Sequence, residues 1–181
     1  MAKESPFVDL ALDVAHKILS PPLSMARGAP LLYQVTVDND LRLTVDPRLP
    51  RRGSSAFQTD LCVFETLASG TVIPRVVLEF KTTITTHDVL TYSAKARKHK
   101  QVYPYLRYGV VMSEERHIAG RVFNHNESLD FGAAVGQLSN RELRVFFTAL
   151  FEEEIAASKR LESVFFGSSK SRLFRNEVLV R

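Results

Sequence analysis

Residues Arg75 to Thr83 read Arg-Val-Val-Leu-Glu-Phe-Lys-Thr-Thr, an apolar, β-branched run with one acid and one lysine set into it. Such a run predicts a buried strand. Charges enter buried strands only with a partner or a task, because an unpaired buried charge is costly. A second apolar run, Phe57 to Phe64, also admits one acid, Asp60. Two adjacent strands, each carrying one carboxylate, restrict the chain to folds that bring those carboxylates together or leave both wet.

Strand geometry decides between these. Side chains alternate faces, so Glu79 and Lys81 share one face and Val76, Leu78 and Phe80 share the other. The segment joining the two runs, Thr66 to Thr71, carries a Ser69-Gly70 turn signal. An antiparallel hairpin centred there sets Asp60 directly across from Glu79, on the same face. A slip of one residue would send Asp60 to the other face. In the expected register, two carboxylates and a lysine converge. Carboxylates are hard oxygen ligands suited to Mg²⁺ or Mn²⁺. A metal there activates water and stabilises charge on a phosphate. A lysine beside it positions or deprotonates that water and neutralises developing charge. The chemistry these residue types suit is phosphodiester hydrolysis.

Asp60 followed by Glu79-Phe80-Lys81 on the next strand resembles the signature of the PD-(D/E)XK nuclease superfamily, which includes restriction endonucleases, junction resolvases and repair nucleases. Thr59 stands where the family often has proline. The resemblance covers roughly the first two-thirds of the chain. It implies an α/β fold with a central mixed β-sheet flanked by helices and an αβββαβ core, similar to restriction endonucleases. It implies that Asp60, Glu79 and the backbone carbonyl of Phe80 hold the metal, that Lys81 acts on the attacking water, and that the products carry a 5′-phosphate and a 3′-hydroxyl. Gln101 and Tyr105 resemble the Gln-x-x-x-Tyr element of RecB-type members. Pro104 between them disfavours helix at Tyr103, and tyrosines packing a helix end explain them as well.

Other elements follow from local signals. Ser5-Pro6 opens a first helix whose apolar face is Phe7, Leu10, Ala11, Val14, Ala15 and Ile18. Pro21-Pro22 ends it. Leu31 to Val37 and Leu41 to Val45 predict a hairpin around Asp38-Asn39-Asp40. Thr85 or Thr86 caps a helix running to about Val102, and a strand follows near Tyr108 to Met112. Strand–helix–strand order favours a right-handed crossover and parallel pairing. Short strands are expected near Arg121 to Phe123 and Leu129 to Ala134. Ser139-Asn140-Arg141-Glu142 is a capping box for a helix to about Phe165. Gly167-Ser168-Ser169 ends it, and Arg172 to Arg181 alternates like a further strand. Neither a repeat nor a composition shift divides the chain. A single nuclease-like unit over residues 1–181 is expected, with its core at about 5–135 and the long helix and tail at 139–181.

The helix after the motif carries Lys95, Arg97, Lys98 and Lys100, which can track a phosphate backbone. A solvated helix face is the ordinary alternative. Arg48, Arg51 and Arg52 lie on a loop that can reach a groove. Thr83 shares the face of Glu79 and is a candidate supporting residue. Glu4, Asp9, Asp13 and Asp46 are further acids that nothing in the sequence ranks. The histidines lack zinc-site spacing. Leu143, Phe146, Phe147, Leu150, Phe151, Ile155 and Leu161 form a stripe that packs on the chain's own sheet or makes a homodimer.

The 181 residues are 45% hydrophobic, enough for a substantial core. A net charge of +4 is compatible with DNA as partner, and RNA fits as well. One cysteine excludes an internal disulfide framework and fits a reducing compartment. The first residues lack a signal-peptide pattern, and the expected location is cytoplasmic. The expectation is a Mg²⁺- or Mn²⁺-dependent DNA nuclease, most simply an endonuclease. The alternative is a non-catalytic nucleic-acid-binding or assembly subunit of the same fold.

Overall fold

The computed structural model describes residues 5–53 and 55–171. Helix α1 (Ser5–Ile18) is followed by strands β1 (Leu23–Arg27), β2 (Pro30–Leu32), β3 (Ala56–Gln58), β4 (Leu61–Thr66) and β5 (Val72–Lys81). Then come helix α2 (Thr86–Val102), strand β6 (Arg107–Met112), helix α3 (Gly120–His125), strand β7 (Phe131–Ala134) and helix α4 (Asn140–Phe165). The architecture is α/β. A mixed five-stranded sheet runs β1-β4-β5-β6-β7, and β2 and β3 form a separate two-stranded sheet. β1, β4 and β5 pair antiparallel, whereas β6 and β7 join in parallel.

The sheet buries both faces. On one, Leu61, Val63, Val76, Leu78 and Phe80 pack with Ala11 and Val14 of α1 and Leu143, Phe147, Phe151 and Ile155 of α4. On the other, Cys62, Val77, Tyr108 and Val110 pack with Val89, Tyr92 and Ala96 of α2 and Val122 of α3. Central strands buried on both faces read as continuous apolar runs, which is why β5 and β6 look as they do in sequence. Both long helices start at reciprocal caps: Thr85 with Asp88 for α2, and Ser139 with Glu142 for α4.

Several expectations are corrected. The hairpin expected over Leu31 to Val45 reduces to one bridge, Val37 to Leu43. Its turn is well made, with Asp38 Oδ1 accepting from the backbone N–H groups of Asp40 (2.9 Å) and Arg42 (3.0 Å). Val35, Val37, Leu41 and Leu43 are nevertheless exposed, and an isolated hairpin with no face to bury is marginal. The outer strand of the antiparallel trio is instead β1, a five-residue segment with no alternation of its own. Arg121 to Phe123 is helical, within α3. The run Phe57 to Phe64 breaks at Thr59-Asp60 into strands of two different sheets. Of the α4 stripe, Leu143, Phe147, Phe151 and Ile155 are buried against the sheet and α1, with Phe146 and Leu150 partly buried beside them. The expected terminal strand, Arg172 to Arg181, lies outside the described residues. Among the described residues no helix is long and apolar enough to cross a membrane.

A candidate acid site at the ends of the central strands

The β4–β5 hairpin brings Asp60 to Glu79 by a route different from the one expected. Near the turn, Thr66 faces Val72 and Phe64 faces Pro74, a register that continued unbroken would set Asp60 opposite Leu78. The register shifts between Val63 and Phe64, so that Val63 faces Val76 and Leu61 faces Leu78. Arg75 is the extra residue of this bulge, and one further step sets Asp60 beside Glu79. Pro74 supplies a reason for the bulge, because it has no N–H to give the ladder. Arg75 is 2% exposed and is held by Glu65 (2.7 Å) and Glu162 (2.6 Å). Its guanidinium also lies over the Tyr105 ring.

Asp60 occupies the corner where the chain passes from the small sheet to the large one. Its carbonyl accepts from Gly28 N–H (3.1 Å), and Thr59 N–H donates to Ala29 (3.0 Å). Gly28 has φ of +67°, and a Cβ there would lie 2.9 Å from Gln58 Nε2, so the corner needs glycine. Asp60 Oδ2 accepts the backbone N–H of Phe80 at 2.8 Å. The N–H and C=O of one strand residue point to the same neighbouring strand. The Phe80 carbonyl is therefore directed to the edge where Asp60 lies, past the last β4–β5 pair.

Glu79 is 2% exposed. Its Oε1 accepts from the Tyr108 hydroxyl (2.5 Å) and from Lys95 Nζ (3.1 Å). Burial pushes its pKa up to about 7; the Lys95 charge opposes this and the Asp60 charge adds to it. Each carboxylate thus spends one oxygen on the protein. Asp60 Oδ1 and Glu79 Oε2 have no hydrogen-bond partner among the described residues. Lys81, two residues along β5, is on the same face and half-buried, with Nζ 3.8 Å from Asp88 Oδ1. The Lys81 and Lys95 ammonium groups lie 5.8 and 5.3 Å from the centre of the Tyr92 ring. This cluster sits where the parallel strands β5 and β6 end and α2 begins, the usual crevice of an α/β sheet.

The other candidates are dispersed. Lys100 is tied to Asp130 (2.7 Å) and the Ser128 carbonyl (2.7 Å), where it braces the start of β7. Arg97 and Lys98 are exposed on α2. Thr83 is exposed beyond the end of β5 and does not support the acids. Gln101 is exposed near the end of α2, and Tyr105 is buried beyond it against Arg75, so the two share no helical face. Arg48 and Arg51 rim an apolar cleft of about 430 Å³ that includes Phe64, Val72 and Pro74. Val72 is at the turn end of β5, roughly 20 Å from Glu79 at strand rise. Arg52 donates to Gln58 Oε1 (2.9 Å). Gln58, Arg27, Gly28, Thr59, Val8 and Asp60 enclose a smaller cleft of about 150 Å³.

Among the remaining acids, Asp9 pairs with Arg27 (2.6 Å) and Asp13 with Lys17 and Arg144. Asp46 Oδ1 accepts from Arg48 N–H, and Glu4 lies outside the described residues. Among the described residues no third carboxylate, histidine or cysteine completes a metal cluster with Asp60 and Glu79. Tyr108, Tyr92 and Arg27 were not identified from sequence. Tyr108 was accessible in principle, since parallel pairing of Val77 with Tyr108 gives them a common face. His99 is fully buried and stacked on Tyr108, with Nδ1–H donating to the Leu32 carbonyl (2.8 Å). Burial pushes its pKa down to about 4, so it is neutral at pH 7. Compared with known proteins, the chain matches no protein-family model and no curated protein.

Proposed function

We propose that this chain is a divalent-metal-dependent nuclease of the PD-(D/E)XK type, hydrolysing phosphodiester bonds in DNA. The observation that carries the reading is the division of labour in the acid pair. Phe80 N–H, Tyr108 and Lys95 fix one oxygen of each carboxylate, and the others, Asp60 Oδ1 and Glu79 Oε2, are uncommitted among the described residues. The donor set is all oxygen, counting the Phe80 carbonyl, which suits Mg²⁺ or Mn²⁺ rather than zinc. When bound, such an ion would polarise the scissile phosphate and lower the pKa of a coordinated water.

The chain's own residues do the rest. Asp60 and Glu79 would hold the ion, with Tyr108 fixing the rotamer of Glu79 from below. Lys81 is half-buried, on the Glu79 face and at the open end of β5, where its ammonium can orient a water and, in the neutral amine form, its Nζ can receive a proton. Arg27 lines the cleft beside Asp60 while paired with Asp9, and Lys81 would supply positive charge for a phosphate backbone.

The test is cleavage of supercoiled and linear duplex DNA with Mg²⁺, Mn²⁺ or chelator, with Asp60→Ala and Lys81→Ala alongside. Metal-dependent cutting lost in both variants is expected; cutting retained in Asp60→Ala would refute the assignment. One observation favours a second reading, a non-catalytic nucleic-acid-binding module: Lys95 already neutralises Glu79. On that reading, wild type binds DNA in a salt-dependent way, cuts nothing, and Asp60→Ala leaves binding unchanged.

A further inference from the structure

Lys95 is a charged group at the acid pair that holds Glu79 and takes no part in the hydrolytic step itself. It comes from α2, sixteen residues after Glu79, and its Nζ donates to Glu79 Oε1 at 3.1 Å. It is about one-quarter exposed, whereas Glu79 is almost wholly buried. An ammonium group beside a buried carboxylate supplies the charge that a bound cation would otherwise supply. The two cannot share the site without like-charge repulsion in a low-dielectric pocket. The lysine has an alternative place close by. Its Nζ already lies 5.3 Å from the Tyr92 ring centre, on the ring that Lys81 also approaches, and its stem leads to solvent.

We propose that Lys95 is an exchangeable counter-ion of the acid pair, holding Glu79 until a divalent metal ion displaces its ammonium. The inference rests on the nuclease reading and adds a determinant of metal affinity to it. Glu79 stays neutralised in both states, first by a lysine and then by the metal, so the buried carboxylate is never left unpaired. Metal binding is consequently weaker than the bare acid pair would give, and it frees one cation next to the substrate's phosphate.

The experiment is titration of the full chain with Mn²⁺ in the absence of nucleic acid, by calorimetry and by water-proton relaxation. Wild type, Lys95→Met, Lys95→Gln, Lys81→Met and Asp60→Ala are compared at about pH 8.5, where protons compete little for Glu79. Circular dichroism establishes that each variant is folded, and two uncharged variants guard against one failing to fold. Both Lys95 variants are expected to bind Mn²⁺ roughly tenfold more tightly or better. Lys81→Met is expected to change affinity less, because Lys81 faces Asp88 and not Glu79. Mn²⁺ binding that depends on Asp60 but is unchanged or weakened in both Lys95 variants overturns the counter-ion role and leaves the nuclease reading standing. Absence of Asp60-dependent binding in every protein overturns the metal site itself, and the counter-ion role with it.

Discussion

At the scale of single residues, Glu79 carries the largest electrostatic cost near the site. A carboxyl whose pKa rises from 4.5 in the unfolded chain to about 7 in the folded one binds its proton more tightly when folded. Folding stability linked to this group is therefore greatest below about pH 4.5, falls as pH rises towards 7, and is level above that. The loss is on the order of 3 kcal/mol. Urea unfolding of metal-free wild type and Glu79→Gln across this range should converge at low pH and separate with rising pH, the variant becoming the more stable. Curves that stay parallel would mean that Glu79 does not titrate differently on folding. Burial of Glu79 thus outweighs its pairing with Lys95 in the metal-free protein.

At the scale of elements, two irregularities fix where Asp60 lies. The first is the Arg75 bulge in β5, whose guanidinium is locked by Glu65 and Glu162 in the interior. Lys159 also holds Glu65 (2.9 Å), so Glu65 keeps one partner when Arg75 is removed. Arg75→Ala should cost about 3 kcal/mol, at the lower end of the range for broken buried pairs, read as a shift in the urea midpoint. The same variant should lose cleavage beyond its loss of folded protein, because the bulge keeps Asp60 on the Glu79 face. The second is the Gly28 corner. Gly28→Ala forces a left-handed backbone on a residue with a side chain and crowds Gln58. A cost of about 1–2 kcal/mol is expected, with weaker Mn²⁺ binding through displaced Asp60. Helix caps are simpler: Ser139→Ala should cost about 1 kcal/mol by thermal unfolding and leave metal affinity unchanged.

At the scale of the molecule, the sheet separates two cores with different duties. The α1–α4 side is apolar and supplies stability, with Phe147 and Phe151 fully buried. The α2 side carries Glu79, Tyr108, His99 and Lys95 among its apolar residues. Phe151→Ala, on the first side, should cost about 4 kcal/mol of stability and leave cleavage per folded molecule unchanged. Activity falling faster than the folded fraction would mean that the two faces are coupled through the strands between them. Positive charge is likewise divided. Lys100 and Arg107 both pair with Asp130 and serve the fold, while Lys95 pairs with Glu79 and Lys81 lies on the same face beside Tyr92.

Much of the framework was legible in the chain itself. The apolar run of β5, the caps at Thr85 and Ser139, and the order strand–helix–strand after Lys81 are local signals, and local sterics and hydrogen bonding largely decide them. Alternation put Glu79 and Lys81 on one face without reference to anything distant. The remainder depended on contacts between segments far apart. β1 has no pattern of its own and is a strand because β4 offers it an edge. The corner at Asp60 arises because two ribbons change sheets together. Asp60 reaches Glu79 through a turn centred on Ser69 instead of between Ser69 and Gly70, and a bulge that restores the register. Lys95 read as one more surface cation, since helical spacing does not reveal which buried carboxylate waits across the gap. The sequence alone determined which residues can bear charge at this site; tertiary packing decided which charges meet, because pairing over distance is set by register and burial and not by local preference.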